Sequence, residues 1–426
     1  MKKIAMLLGV SAAFLSSTLP AAASDEELQA LRAQIQRLTQ RLDALESKNE
    51  QAESPPAGSG SDLPTVVAGE VNETIEAAVE EQITKRMAAA AWTERMRWQG
   101  DFRYRYENID DEGRDDRNRN RIRARVNLGA DLSPTLSIGL GLASGGTDPV
   151  SSNQTLGGGG SSKDIRLDLA YFDWSGLENT HILGGKMKNH LAIPGSSQLL
   201  WDSDWRPEGL GAGWDNGRFF AKGLGTWLEG DSARGTEFAW VAQAGVIMQL
   251  PAEASLRLGA GYAQFDLAGQ RPIFGAADNF QGNSFDPATL TYLHDYHEIE
   301  AFTELDFRLG GKPAKFFADY VYNTEADDNN EGYLVGFTYG AARGMGNWQL
   351  SYTYQRLEKD AVVGILSNSD FGGGGTDVRG SVFSGAYALQ DKWHFNVSYY
   401  LNEVGLAAGK PRDSNRLQVD MKFKYD

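Results

Sequence analysis

Arg103 and Arg105, and after an acidic turn Arg119, Arg121, Arg123 and Arg125, recur at every second position of two adjacent stretches. In an extended chain that spacing places each run on one face. Guanidinium groups stay charged at physiological pH and present forked donors, so such a face attracts and orients anions. Arg166, Lys186 and Lys188 extend the basic set along the chain. Much later, Glu298, Glu300, Glu304 and Asp306 occupy one phase of a comparable stretch with the opposite sign. Between these sets Asp202 and Asp204 stand in the polar segment 189–206, framed by Trp201 and Trp205. Charged rows of this kind suit the steering of solutes.

Bond-making chemistry finds few candidates. Cysteine is absent, which excludes thiol catalysis and thiolate metal sites, and the histidines are His181, His190, His294, His297 and His394. A hydrolase would need a nucleophile and an orienting acid converging on one of them, and no nucleophile motif adjoins them. His294 and His297, beside Asp295 and Glu298, are metal-capable by type, although a hydrogen-bonded or exposed histidine at a loop edge is the simpler reading. The glycine runs Gly157–Gly160 and Gly372–Gly375 lack the strand-then-helix setting of a phosphate loop. No cofactor is expected. A net charge of -16 disfavours nucleic acid as a partner.

What the charged faces meet depends on the elements that carry them. Trp98, Gly100, Phe102, Tyr104 and Tyr106 alternate with the first arginines, and Ile122, Ala124, Val126, Leu128 and Ala130 alternate with the second set. A soluble sheet would bury the apolar face and leave the arginines in bulk water. A transmembrane barrel would turn the apolar face to lipid and the arginines to a water-filled lumen. Similar alternation recurs through Leu136–Leu142, Ile165–Tyr171 and His181–Met187, and later to a closing run of Leu417, Val419, Met421, Phe423 and Tyr425. Taken at face value it assigns Leu169, Tyr171, Leu183 and Met187 to the lipid side.

Short connections at Ser133-Pro134, Ser175–Asn179, Pro251 and Gly310-Gly311 alternate with long ones at 145–162, 189–206 and 267–294. In a barrel these belong at opposite ends. The clear strands alone are odd in number. A weaker strand over 207–214, turning at Asp215-Asn216-Gly217 into 219–229, restores the parity. The expected fold is an all-β transmembrane barrel of about sixteen antiparallel strands over residues 97–426, wide enough for an aqueous channel. Glycine at 49 residues and aromatics at 11% suit turn-rich strands with interfacial rings.

A helical leader precedes it. Residues 1–23 read as a signal peptide, with Lys2 and Lys3, an apolar run to Leu19, and Ala21-Ala22-Ala23 before Ser24. Leu28, Leu31, Ile35, Leu38, Leu42 and Leu45 alternate spacings of three and four, the seam of a coiled coil over 24–50. Segment 51–64, with Pro55-Pro56 and Gly58-Ser59-Gly60-Ser61, is a linker. Val71, Ile75, Val79, Ile83 and Met87 make 65–95 an amphipathic helical segment.

Several stretches support a family resemblance: Trp98-Gln99-Gly100-Asp101-Phe102-Arg103, Arg121-Ile122-Arg123-Ala124-Arg125, Asp148-Pro149-Val150-Ser151-Ser152-Asn153-Gln154-Thr155-Leu156, Gly184-Gly185-Lys186-Met187-Lys188-Asn189 and Asn415-Arg416-Leu417-Gln418. On these the chain resembles the outer-membrane porins of Gram-negative bacteria that carry an N-terminal periplasmic coiled coil. The resemblance implies a sixteen-stranded barrel in outer-membrane lipid and passive uptake, without specifying a solute. It places His190 where the family has proline. Analogy with sixteen-stranded porins, together with the heptad seam, points to a homotrimer.

The expected function is a passive diffusion channel for ions and other small hydrophilic solutes. Strand ten of sixteen lies opposite strand two, so Arg103, Arg105, Arg119, Arg121, Arg123, Arg125, Arg166, Lys186 and Lys188 would form a basic wall facing Glu298, Glu300, Glu304 and Asp306. Segment 189–206 either folds into the barrel, with Asp202 and Asp204 meeting the arginines, or stands in solvent. The arginines either select solutes or form a structural ladder neutralised by Asp101, Glu107, Asp164 and Asp168. Two other classes stay open: a structural tether in which the periplasmic leader contacts the cell wall, and a hydrolase embedded in the barrel.

Overall fold

The computed structural model describes residues 95–231 and 237–426, with a compact unit beginning at Met96. The signal peptide, coiled coil and linker expected over 1–64, and the amphipathic segment up to residue 94, lie outside the described residues.

Residues with the two-residue period form strands along the whole unit. The first eight are β1 (Met96–Asp111), β2 (Arg117–Ser133), β3 (Leu136–Ser144), β4 (Ile165–Trp174), β5 (Thr180–Lys186), β6 (Glu208–Asp215), β7 (Phe219–Glu229) and β8 (Glu237–Leu250). The rest are β9 (Ala254–Phe265), β10 (Tyr296–Leu309), β11 (Lys312–Asn323), β12 (Glu331–Gly340), β13 (Trp348–Leu357), β14 (Val378–Gln390), β15 (Trp393–Val404) and β16 (Arg412–Tyr425). Each pairs antiparallel with its sequence neighbours. The last returns to the first, from Gly100 opposite Tyr425 to Asp111 opposite Ser414. Closure pairs every strand on both sides, which is what a spanning sheet needs where lipid offers the backbone no hydrogen bonds.

The weak strand forms as expected. Asn216 Oδ1 accepts the backbone N–H groups of Arg218 and Phe219, and Gly217 takes a φ of 81° that its lack of a side chain permits. Phe102, Tyr104 and Tyr106 are exposed on the outer face while Arg103, Arg105 and Glu107 are buried inside, and Ile299, Phe316, Tyr352 and Phe423 repeat the outward pattern.

Alternation breaks in the middle of β4. Gly141 pairs with Leu169 and Leu142 with Leu167, so Asp168 is an extra residue in β4. Such a bulge moves every later side chain to the other face. Leu169 is therefore buried and Tyr171 packs toward the interior. Leu183 of β5 also packs inward, and Met187, just beyond the end of that strand, is fully enclosed by the inserted segment, so all four depart from the lipid-side assignment from periodicity.

The long connections do not all stand outside. Segments 187–207, 266–295 and 358–377 meet within the lumen, where Leu199, Leu200 and Trp201 pack among Phe280, Tyr292, Val362, Leu366 and Phe371. Trp201 and Trp205 stack with centroids 4.9 Å apart. Burying these side chains against one another removes apolar surface from water and folds the loops inward.

Candidate functional site: the lumen and its constriction

Segment 187–207 crosses the barrel. Ala192 N donates to Gln243 Oε1 of β8 at 2.8 Å, and Gly195 N to Glu304 Oε2 of β10 at 2.5 Å. Ser197 Oγ donates to Asp319 of β11 at 2.7 Å, and Asp202 N to the Leu366 carbonyl at 2.6 Å. On the far side Asp204 accepts from Arg125 Nη2 of β2 at 2.6 Å, lies 3.6 Å from Arg123, and accepts from Ser152 N at 3.1 Å. The crossing depends on close approach. A Cβ at Gly195 would lie 2.2 Å from Phe317 Cδ1, and one at Gly336 of the neighbouring strand 2.2 Å from its Cζ. Phe317 thus sits in a slot that only glycines leave open. His190, at the start of the segment, lies over Gly211 and hydrogen-bonds the Gly223 carbonyl at 3.1 Å.

The acidic row lies beneath inserted chain. Glu298 accepts Val363 N at 3.1 Å, Glu300 accepts Gln243 Nε2 at 2.6 Å, and Glu304 holds Gly195 N with Lys315 at 2.8 Å and Arg257 at 3.4 Å. None of the three exceeds 5% exposure. An irregular loop inside a barrel carries unpaired N–H groups, and these carboxylates accept several of them. Asp306 lies toward the short-turn end, half exposed, at 3.2 Å from Lys315.

The basic sector spans three strands. Across β16, β1 and β2 the register stacks Gln418–Glu107–Arg119, Asp420–Arg105–Arg121, Lys422–Arg103–Arg123 and Lys424–Asp101–Arg125. Arg105 is bidentate to Asp420 at 2.6 and 3.0 Å and donates to Asp370 at 2.9 Å. Asp370, from segment 358–377, also accepts from Arg416 at 2.6 Å. Arg119 pairs with Glu107, Arg121 lies 3.8 Å from Glu107, and Arg123 donates to Asp101 at 2.7 Å. Arg103 hydrogen-bonds Asn153 and forms no ion pair among the described residues. Asp101 and Glu107 thus neutralise part of the ladder, whereas Asp164 pairs with Arg166 at 3.1 Å and Asp168 with Arg206 at 3.3 Å. Lys186 pairs with Glu208 at 2.6 Å, and Lys188 borders a small groove with Arg97 and Gln99.

Charge in the inserted loops is set by these neighbours. Burial works against an ionised Asp204, but Arg125 and Arg123 outweigh it and hold its carboxyl well below the usual range. Asp370 is held down by Arg105 and Arg416 against the same opposing burial. Asp202 meets no arginine among the described residues; it accepts Ser369 N at 2.9 Å, and burial followed by the Asp204 charge pushes its pKa up to about 7.

Open cavity space follows the basic side. An outer vestibule of about 850 Å³ is bordered by Arg119, Arg121 and Arg416, and an inner chamber of about 330 Å³ by Arg103, Arg123, Tyr400 and Lys422. Val150, Ser369 and Asp370 border both. A second outer cavity of about 680 Å³ is bordered by Arg166, Lys186, Asp204 and Trp205. His297 lies between Asp266 and Glu325, each at 2.9 Å. Among the described residues no three or more candidate ligands gather for a metal.

Periodicity did not single out Asp370, Arg416, Asp420 or Lys422. The last three share the inward phase of the closing strand, opposite Leu417, Val419 and Met421, so the signal was present in the alternation. Asp370 belongs to a glycine-rich loop and had none.

The family model described as "Putative porin" matches residues 107–279 and 267–425. Among solved structures the chain is similar to Pseudomonas putida OprB at high pH, with 11% identity over 80% of this chain and 96% of that one and a TM-score of 0.52. It is also similar to a loop-deletion mutant of OmpT, an outer membrane protein of Vibrio cholerae, with 12% identity over 78% and 99% of the two chains and a TM-score of 0.47. A mutant of the Rhodopseudomonas blastica porin follows at 10% identity, 78% and 100% coverage and a TM-score of 0.44. At 11% identity the OprB likeness bears on fold alone. No curated protein matches by sequence. The family match runs through nearly all of a closed sixteen-stranded barrel, and the chain belongs to this porin family of the outer membrane.

Proposed function

We propose that the protein is a passive diffusion channel for ions and other small hydrophilic solutes, narrowed where segment 187–207 meets the arginines of β2. The observation that carries this reading is the Asp204–Arg125 contact, made by a loop that leaves β5 and also holds Glu304 on the opposite wall through Gly195. Arg103, Arg105, Arg119, Arg121, Arg123 and Arg125 border the solute path, and Asp204 and Asp370 oppose them from the loops. Asp202 supports the constriction by holding segment 358–377. Glu298, Glu300 and Glu304, across the lumen, act on solutes at longer range and mainly anchor inserted chain. Arg166 and Lys186 guide solutes into the second outer cavity, while Lys188 and Asp306 lie nearer the periplasmic end. The channel works as a homotrimer, with the leader reaching through the periplasm toward the cell wall.

Planar-bilayer recordings in a salt gradient test the reading. Discrete channel events are expected, with reversal potentials on the anion-preferring side because the uncovered wall is the basic one. Folded protein that gives no events would favour the tether.

A further inference from the structure

Resting on the channel reading, we infer that the inner chamber is a binding station for small hydroxylated monocarboxylates, held by Arg103 and Lys422. The register sets Lys422, Arg103 and Arg123 side by side on three adjacent strands, a row of three cations without a carboxylate among them. Their neighbours then divide them. Arg123 is taken by Asp101 at 2.7 Å, and Lys422 reaches Asp420 at 3.4 Å, an acid already bidentate to Arg105. Among the described residues Arg103 has only the neutral amide of Asn153, and its Nε is buried without a partner. It is 7% exposed and borders the chamber. A guanidinium in that state is a forked donor set still lacking its acceptor, and a carboxylate is the planar group that fits it.

The rest of the chamber limits the ligand. Asp202, Asp204, Asp370 and Asp420 border it, so a multiply charged anion meets repulsion while a single negative charge can be matched by Arg103 and Lys422. The lining is polar: Ser398 accepts from Ser384 at 2.9 Å and keeps its own proton to donate, and Gln198 adds an amide. Such groups reward hydroxyls on the solute. At about 330 Å³ the chamber holds roughly ten waters at ~30 Å³ each, enough for a hydroxy acid that keeps part of its hydration.

The test is single-channel conductance of the full-length protein in potassium lactate, potassium phosphate and potassium chloride. Conductance should saturate with lactate at lower concentration than with phosphate. Arg103→Gln should raise the half-saturating lactate concentration about tenfold, the loss of one charge-assisted contact, with Arg103→Lys recovering part of it. Lys422→Gln is the second variant, and the heat-dependent electrophoretic mobility of each confirms a folded barrel. Lactate conductance that rises linearly in a channel conducting chloride normally would overturn the station and leave the channel standing. The station also falls if saturation survives both neutral variants, or if phosphate saturates more tightly than lactate. Absence of events in every salt would overturn both.

Discussion

The arginine sector of β16, β1 and β2 and the glutamate sector of β10 and β11 are written in the same pattern. Each alternates charged inward positions with apolar outward ones, and the apolar sides are alike, Phe102 and Tyr104 on one, Ile299 and Phe316 on the other. Their inner sides differ in what lies on them. Gly195, Ser197 and Val363 bring backbone and hydroxyl donors down onto Glu304, Asp319 and Glu298. The carboxylates of Asp204 and Asp370 and the short polar side chains of Ser152 and Asn153 reach the arginines, and cavity space remains beside them. The carboxylates accept N–H groups and so hold a loop backbone that has no ladder partner. Guanidinium groups offer only donors, which a loop can meet with a carbonyl or a carboxylate. A charged wall in a barrel thus serves as a lining or as an anchor according to which loop settles on it.

The largest effect should come from removing what separates the two sectors. Replacing residues 194–204 by a short Gly-Ser link should raise single-channel conductance severalfold, because the crossing segment is gone while β5 and β6 remain paired. Unchanged conductance would mean that this segment does not limit the path. Next in size, neutralising Arg103, Arg121 and Arg123 together should move the reversal potential toward cations. The matched change, Glu300→Gln with Glu304→Gln, should leave selectivity nearly in place and broaden the conductance levels as Gly195 exchanges a charged carboxylate for a weaker amide acceptor. If the glutamate pair shifts selectivity as far as the arginines do, the contrast between lining and anchor fails.

Stability can be compared across the sectors too. Asp370→Asn leaves Arg105 and Arg416 short of a buried counter-charge, and breaking such a pair costs about 3 kcal/mol. Phe317→Ala empties the slot between Gly195 and Gly336 and should cost a similar ~3 kcal/mol. Urea titrations of heat-modifiable folded protein would read both. A loss well under 1 kcal/mol in either case would show that the inserted segments are held elsewhere.

Much of this was legible from residue types. Two-residue alternation, the parity of short and long connections and the Asn216-Gly217 turn lead to sixteen strands, because a barrel wall repeats one simple constraint. The β4 bulge at Asp168 was not legible: inserting one residue changes no residue type, yet it carried Leu169 and Tyr171 inside. The loops were half legible. Their tryptophans and aspartates marked 189–206 as unusual, but the glutamates that anchor this segment looked like a pore lining, since sequence does not say which polar face another segment will cover. Asp370 is the plainest loss, a single carboxylate in a glycine-rich loop whose partners lie on β1 and β16.

The smallest effect expected lies at the junction of the two inserted segments. Asp202 caps Ser369 N and Asp204 N, with its carboxyl pushed up to about 7 by burial and then by the Asp204 charge. Its value in the docked loop lies above the ordinary aspartate value, so ionising it opposes docking. The contribution to docking is greatest below that ordinary value, falls as pH rises, and levels off above about 7. Asp204 has the opposite shift and stays charged on Arg125 throughout, so it adds no slope in this window. Wild-type channels recorded between about pH 5 and 8 should therefore flicker more as pH rises. Asp202→Asn, neutral at every pH, should flatten that profile near its low-pH end. A wild-type profile already flat, or one equally steep in the variant, would assign the slope to other groups and leave Asp202 with a hydrogen-bonding role only.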